Sequence, residues 1–256
     1  MKTLVIIPTY NEASNVERIV GAVLGVEPCL DVLIVDDASP DGTGAIADGL
    51  AASTEGRVHV LHRSSKDGLG AAYLHAYRHA LSAGYGWVAT MDADFSHHPR
   101  YLPAMLRAAE TADVVVGSRY VSGGATRNWG SLRRLVSHLG GTYARWVTGL
   151  PVRDPTAGFH ILSDAALRRF VTIGLRSTGY CFQVEQKCVA HRFGLSITEV
   201  PIVFEDRRLG RSKMTVSIAL EAAWKVWTFR FRRVAGAPAP AAAAVSSEGL
   251  RDRRTG

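Results

Sequence analysis

Residues 87–99, WVATMDADFSHHP, decide how the chain is read. The apolar run Trp87 to Met91 has the length and composition of a buried strand, and it ends abruptly in Asp92 and Asp94. Ligands of open α/β sheets bind outside the carboxyl ends of the strands, so these carboxylates fall where chemistry is expected. Asp-x-Asp suits a hard divalent cation such as Mg2+ or Mn2+, which takes one or two carboxylates and fills its other positions with water and substrate phosphates. Alone, Asp-Ala-Asp also reads as a solvated turn; the neighbouring segments decide for a site.

Working outward, short apolar strands alternate with helical stretches. Thr3 to Ile7 is a strand followed by the turn Pro8-Thr9-Tyr10-Asn11-Glu12 and a helix from Ala13 to Gly25. Asp31 to Val35 is a second strand, ending in Asp36-Asp37 and followed by a helix from Thr43 to Ala52. Val58 to His62 is a third, and the loop with Lys66, Gly68 and Gly70 opens a helix to Ala83. This alternation predicts a mostly parallel sheet covered by helices on both faces. Parallel strands then deliver Pro8 to Glu12, Asp36-Asp37 and Asp92 to Asp94 to one edge. Gathering carboxylates there creates repulsion that a metal and a hydrogen-bonding ligand relieve. Asp41-Gly42-Thr43 reads as turn and cap chemistry, which leaves Asp37 as the ligand-facing acid. No G-x-x-x-x-G-K-[ST] or G-x-G-x-x-G pattern opens a helix after a strand, which disfavours a P-loop ATPase and an ordinary NAD enzyme.

The 256 residues suffice for one α/β domain, 1–233, followed by an Ala- and Pro-rich tail, 234–256, expected to be disordered. No membrane span or signal-peptide core is visible, so a cytoplasmic location is expected. Cys29, Cys181 and Cys188 lack C-x-x-C spacing and read as free thiols. A net charge of +7 and a pI near 9.6 point to an anionic partner: a nucleic acid, a membrane surface or a phosphorylated substrate.

Taken in order, Pro8-Thr9-Tyr10-Asn11-Glu12, Val35-Asp36-Asp37-x-Ser39-x-Asp41-Gly42-Thr43, Gly68-Leu69-Gly70-x-Ala72-Tyr73, Asp92-Ala93-Asp94 and Gly117-Ser118-Arg119-Tyr120 resemble family-2 glycosyltransferases. Within that family they are similar to dolichol- or polyprenol-phosphate mannose synthases, from Lys2 to about Lys213. The resemblance implies a GT-A fold, GDP-mannose as donor, a polyprenyl phosphate acceptor, and Mg2+ or Mn2+ at Asp92 and Asp94. Ser96, standing where some relatives carry Gln, is the third candidate metal ligand. Pro8, Tyr10, Glu12, Val35, Asp37 and Ala93 are implied on the donor side, together with Arg207 and Lys213. The R-x-x-G-x-S-K segment from Arg207 to Lys213 is similar to the family's donor-phosphate loop, an arm able to close over a diphosphate. Arg119, Arg133 and Ser137 are implied at the acceptor phosphate, Arg119 being well suited because guanidinium grips phosphate in bidentate fashion. Asp92, Asp94 and Arg119 form the expected catalytic set.

Residues 121–131 read as a mobile loop by composition. Leu132 to Thr148 has apolar residues at helical spacing, including Leu135, Leu139, Tyr143 and Trp146, and reads either as an ordinary surface helix or as an interfacial one. Asp154 to Phe159 is a turn that resembles a recurring family segment, followed by a helix from Asp164 to Val171. Tyr180 to Phe193 is helical, and Ser196 to Phe204 is a further strand. His97 and His98 read as turn residues. Met214 to Arg233 is a last helix, with Trp224, Trp227, Phe229 and Phe231 beside Lys225, Arg230, Arg232 and Arg233, a composition shared by membrane-interface helices and by core. Peripheral contact with the cytoplasmic membrane face is therefore expected, directly or through a membrane partner protein. A basic nucleic-acid-binding α/β protein is the alternative class, but RNA-binding aromatic motifs are missing and acids cluster at the sheet edge, so no nucleic-acid partner is expected. UDP-glucose with the same lipid acceptor is the alternative donor.

Overall fold

Parallel strands must be joined by crossovers that return the chain to its starting edge, and the helices between the apolar runs serve this purpose. The computed structural model describes residues 2–65, 68–177, 179–205 and 216–231, the side chains of 180 and 216–222 excepted. The first half runs β1 (Thr3–Thr9), α1 (Val16–Leu24), β2 (Leu30–Asp36), α2 (Thr43–Ser53), β3 (Val58–His62), α3 (Leu69–Ser82) and β4 (Trp87–Thr90). There follow α4 (Leu102–Ala109), β5 (Val114–Ser118), β6 (Ala125–Arg127), α5 (Ser131–Thr148), β7 (His160–Ser163) and α6 (Asp164–Ile173). The last elements are α7 (Tyr180–Arg192), β8 (Ile197–Pro201), β9 (Val203–Glu205) and α8 (Val216–Phe231).

Seven strands form the central sheet in the order β3-β2-β1-β4-β7-β5-β8. All neighbours are parallel except β7, which runs antiparallel to both β4 and β5. Successive side chains of β1 alternate between faces, and both sets are buried. Leu4 and Ile6 join the core beneath α3, α6 and α7, whereas Val5 and Ile7 join the core beneath α1 and α4. This burial on both faces explains the near-continuous apolar strands. The architecture is the expected GT-A fold, a mostly parallel sheet between helical layers. Cys29, Cys181 and Cys188 are free thiols.

Register fixes what reaches the functional edge. Thr9 lies opposite Asp36, and Ile6 opposite Thr90, so β1, β2 and β4 all end there. Because β7 runs the other way, its first residue, His160, lies at the same edge, opposite both Thr90 and Val116. The segment before β7 thus enters the site where β4 and β5 leave it.

Three expectations are corrected. The loop expected at 121–131 contains β6, which pairs with β9 in a separate two-stranded sheet. Gly124 permits this, since a Cβ there would lie 2.6 Å from the Ser118 carbonyl oxygen. The single strand expected from Ser196 to Phe204 is two, because Pro201 ends β8 and the Ile202 N–H turns to the Ser118 carbonyl, 3.0 Å away. Phe229, grouped by sequence with the membrane-facing aromatics, is core: it and Val226 pack with Ala144, Val147, Val184 and Cys188. By contrast Trp224 and Phe231 are exposed, as are Leu132, Leu135, Val136, Leu139 and Trp146 on α5. The exposed rings touch one another, Trp146 edge-on to Trp227 and Trp227 stacked on Phe231. No helix among the described residues is long and apolar enough to cross a membrane. Lys66, Arg207, Lys213, Arg232, Arg233 and the tail 234–256 lie outside the described residues.

This division has a measurable consequence. Phe229→Ala, which empties a packed site, should lower stability by about 3 kcal/mol, whereas Trp224→Ser should change it by less than about 0.5 kcal/mol. Urea unfolding followed by circular dichroism distinguishes them; equal losses would mean that both rings are core.

Candidate active site

After β1 and β2 two turns are stitched together by side-chain hydrogen bonds. The N–H groups of Asn11, Glu12 and Ala13 donate to Ser39 Oγ, Thr43 Oγ1 and Asp41 Oδ2 at 3.1, 2.9 and 3.0 Å. Asp36 is fully engaged in this scaffold, accepting from the Ser39 N–H and hydroxyl and from Thr9 Oγ1. Asp41 accepts from the Thr43 hydroxyl and N–H, the cap role read from sequence. Asp37 pairs instead with Arg63, both side chains being almost wholly buried. Pro8 is half-buried at the end of β1, Tyr10 is exposed, Glu12 is half-buried, and Val35 is buried in β2. The ends of β1 and β2 therefore gather Pro8, Tyr10, Glu12, Val35 and Asp37 at one edge.

Asp92 and Asp94 follow β4 at that edge, half-buried, with Ala93 buried between them. His97, set aside by the sequence reading, supports the pair. Its Nδ1 accepts from the Asp92 N–H at 3.1 Å and lies 3.6 Å from Asp92 Oδ2, while its ring stacks on Phe159 with centroids 5.2 Å apart. His98 caps the short helical turn after it by accepting from the Arg100 N–H. Phe95 has φ of +63°, a left-handed conformation that is costly for an aromatic residue and that turns the chain between Asp94 and Ser96. Asp94 Oδ1 accepts from the Ser96 N–H at 3.0 Å.

Among the described residues no three His, Cys, Asp or Glu side chains gather as a metal cluster. A hard cation that completes its shell with substrate phosphates needs only one or two carboxylates, which is what this turn offers. Among the described residues the buried Ser96 hydroxyl has no hydrogen-bond partner, an orphaned oxygen beside Asp94 that fits a ligand role. The residues present fit a divalent cation.

Arg119 stands at the end of β5. Its backbone N–H, Nε and Nη2 donate to the carboxylate of Asp154 at 3.0, 2.7 and 2.6 Å, and Nη2 also donates to Thr156 Oγ1. Asp154 is wholly buried. Burial opposes its charge, but the hydrogen bonds and charge of Arg119 outweigh this and hold its carboxyl below the usual carboxylate range. Around Arg119 lie the rings of Tyr120, Trp129 and Phe204, each 5.2 to 5.6 Å from the guanidinium carbon. Arg133 stacks on the same indole, 4.3 Å from its centroid. The Tyr120 hydroxyl donates to Ser137 Oγ at 2.7 Å. The structure thus brings Arg119, Arg133 and Ser137 together. Phe204 links this cluster to the acidic pair, since it packs edge-on against both Trp129 and His97.

Sequence reasoning missed four residues here: Arg63, Asp154, Trp129 and Lys187. Asp154 looked like turn chemistry, and Trp129 lay in a stretch read as a loop. The only signal was the polar run Gln183, Glu185, Gln186 and Lys187 within one helix, which left that helix without an apolar stripe; all four are buried.

Fold and site define a nucleotide-sugar glycosyltransferase. The chain belongs to glycosyl transferase family 2, whose profile matches residues 4–172. It is 47% identical over 234 residues to a polyprenol monophosphomannose synthase from Mycolicibacterium smegmatis, covering 90% of this chain and 88% of that protein. It is also 47% identical over 222 residues to an undecaprenyl-phosphate mannosyltransferase from Micrococcus luteus, covering 87% and 91%. Glucosyl-3-phosphoglycerate synthase from Mycobacterium tuberculosis, solved with Mn2+, UDP and glucosyl-3-phosphoglycerate, superposes with a TM-score of 0.62 at 18% identity, over 93% of this chain and 81% of that one. A mannosyltransferase from Pyrobaculum calidifontis, in complex with GDP-Man and Mn2+, gives 0.58 at 20%, over 82% and 58%. Family membership places the chain in the glycosyltransferase class rather than in the alternative one.

Removing one partner of a buried ion pair strands the other. Asp154→Asn should lower stability at neutral pH by about 3 kcal/mol. The native carboxyl titrates below its unfolded value, so its contribution is complete above the unfolded pKa and fades as pH falls through the folded one. Urea midpoints of wild type and variant should therefore converge on acidification; a gap independent of pH would show that the Asp154 charge is not what stabilises.

Proposed function

We propose that the protein transfers mannose from GDP-mannose to a polyprenyl phosphate, inverting the anomeric carbon and releasing GDP. The observation that carries this reading is the 47% identity, along nearly the whole chain, to two proteins named for mannose and a prenyl phosphate. The site chemistry agrees with it. An acceptor phosphomonoester with a second pKa of about 6 is largely dianionic at neutral pH, so its oxygen attacks the anomeric carbon without a general base. Cations are required instead, to bring a dianion towards a diphosphate. Arg119 and Arg133, held on the indole of Trp129, are assigned to the acceptor phosphate with Ser137; Arg207 and Lys213, outside the described residues, are assigned to the donor diphosphate. Pro8, Tyr10, Glu12, Val35, Asp37 and Ala93 line the donor side. Asp92, Asp94 and Ser96 would hold Mg2+ or Mn2+, which when bound supplies charge to the diphosphate and the departing nucleotide.

Purified protein with radiolabelled GDP-mannose and polyprenyl phosphate should yield labelled lipid, and UDP-glucose should not replace the donor. Asp94→Asn should lower turnover on the order of a thousandfold with an unchanged melting temperature, and EDTA should abolish turnover reversibly. Normal turnover in either case would refute the metal assignment. Arg119→Ala should chiefly raise KM for the lipid phosphate, and Lys213→Ala KM for the donor; identical damage to both constants in both variants would refute the division.

A polyprenyl tail leaves the bilayer at a cost of roughly 0.8 kcal/mol per exposed methylene, so the enzyme must work at the membrane surface, on its cytoplasmic side. The exposed side chains Leu135, Leu139 and Trp146 of α5, with Trp224, Trp227 and Phe231 of α8, are the proposed contact. Trp227→Ser combined with Phe231→Ser should abolish flotation with anionic vesicles and leave the melting temperature unchanged. A large drop in melting temperature would instead show these rings to be core.

A further inference from the structure

Lys187 on α7 is fully buried, an unusual place for a lysine. Its Nζ donates to the carbonyl oxygens of Ala157 and Gln183 at 2.9 and 3.3 Å and to Nε2 of His160 at 2.8 Å. Three acceptors match the three protons of an ammonium group. His160 can accept because it is neutral: its own burial and the Lys187 charge hold its pKa well below the usual imidazole value. Its other nitrogen, Nδ1, lies 3.5 Å from Thr90 Oγ1, and that hydroxyl donates to the Gly158 carbonyl at 2.9 Å. The segment Asp154 to Phe159 is therefore gripped from several sides. Thr90 holds Gly158 and the Gly117 N–H holds the Phe159 carbonyl. Glu199 accepts from the Arg153 and Asp154 N–H groups, and Lys187 holds the middle. This segment carries the carboxylate that orients Arg119.

We propose that Lys187 is a positioning residue for the transfer reaction, clamping the segment from Asp154 to Phe159 and thereby fixing where Arg119 presents its guanidinium to the acceptor phosphate. The proposal rests on the assignment of Arg119 to that phosphate. The charges facing Lys187 are Asp154 and Glu199, which favour its ammonium form, and Arg119, which opposes it; Cys188 and neutral His160 complete its surroundings. With the ammonium present, Asp154 and Glu199 are balanced by Arg119 and Lys187. Loss of its proton leaves one uncompensated negative charge beneath the acceptor dianion and removes one of three hydrogen bonds. Burial, only partly offset by the carboxylates, pushes the Lys187 pKa down to about 7.

The test is steady-state kinetics of the full chain with detergent-dispersed polyprenyl phosphate across pH. Wild type should show kcat/KM for the lipid declining as pH rises through the Lys187 titration. Lys187→Met should lower that constant on the order of tenfold at neutral pH, lack the decline, and leave KM for GDP-mannose within about twofold. Placed in an Arg119→Lys background, which keeps a cation beside Asp154 but loses the guanidinium fork, it should add no more than about a twofold further loss, since both changes remove one function. Multiplying losses, or a decline that persists in Lys187→Met, would reduce Lys187 to a core residue and overturn the proposal. If Lys187→Met does not fold, Glu199→Gln decides: removing a carboxylate that favours the ammonium should move the decline to lower pH, and an unmoved decline overturns the proposal. Should Arg119→Ala leave the lipid KM unchanged, the acceptor assignment itself falls and this proposal with it, an outcome distinct from an uncoupled Lys187.

Discussion

A carboxylate with no access to water is tolerable only when its hydrogen-bonding capacity is filled, and Asp154 meets that demand chiefly with Arg119, the Thr156 hydroxyl adding a longer contact at 3.3 Å. Arg119 supplies its main-chain N–H and two guanidinium nitrogens to the two oxygens. The pair ties the exit of β5 to the approach of β7, two strands that are neighbours in the sheet but distant in the chain. The guanidinium so oriented is what the rings of Tyr120, Trp129 and Phe204 pack around, and Arg133 shares the indole. Without the buried acid, Arg119 would keep the ring contacts and Thr156 but lose the three hydrogen bonds that fix its direction.

Elements whose character is periodic or compositional were legible in the sequence. The strands before Pro8, Asp36 and Asp92 declared themselves by unbroken apolar runs, and Val58–His62 was read with the bounds it has. The segments that went unread depend on partners far along the chain. Nothing in Ala125–Arg127 marks it as a strand until Val203–Glu205 lies beside it. Phe229 and Phe231 are indistinguishable by composition, and only the packing of α8 against α5 and α7 buries the first and exposes the second. Lys187 and Asp154 are charged residues, which sequence statistics place at the surface, so their burial could not be read before the fold existed.

The Asp92 to Asp94 turn and the cluster around Arg119 are joined by an aromatic seam. His97 stacks on Phe159 and meets the edge of Phe204, which meets Trp129. Rings of this kind hold their geometry with few rotatable bonds, so the spacing between the Asp92 end and the arginine end is carried by rigid bodies. The two clusters can thus keep a fixed separation although one hangs from β4 and the other from β5.

The reversed direction of β7 has an architectural consequence. A purely parallel sheet builds its edge from chain leaving strands, so every site residue follows the strand that positions it. Here part of the edge is made by chain arriving, and the arriving segment is joined to α5 rather than to a crossover from β4 or β5. Changes of length or composition between α5 and Asp154 can therefore remodel the surroundings of Arg119 while the registers of β1, β2 and β4 remain untouched. The edge is thus assembled from chain running in two directions, and the stack of His97 on Phe159 is where the departing and arriving segments meet.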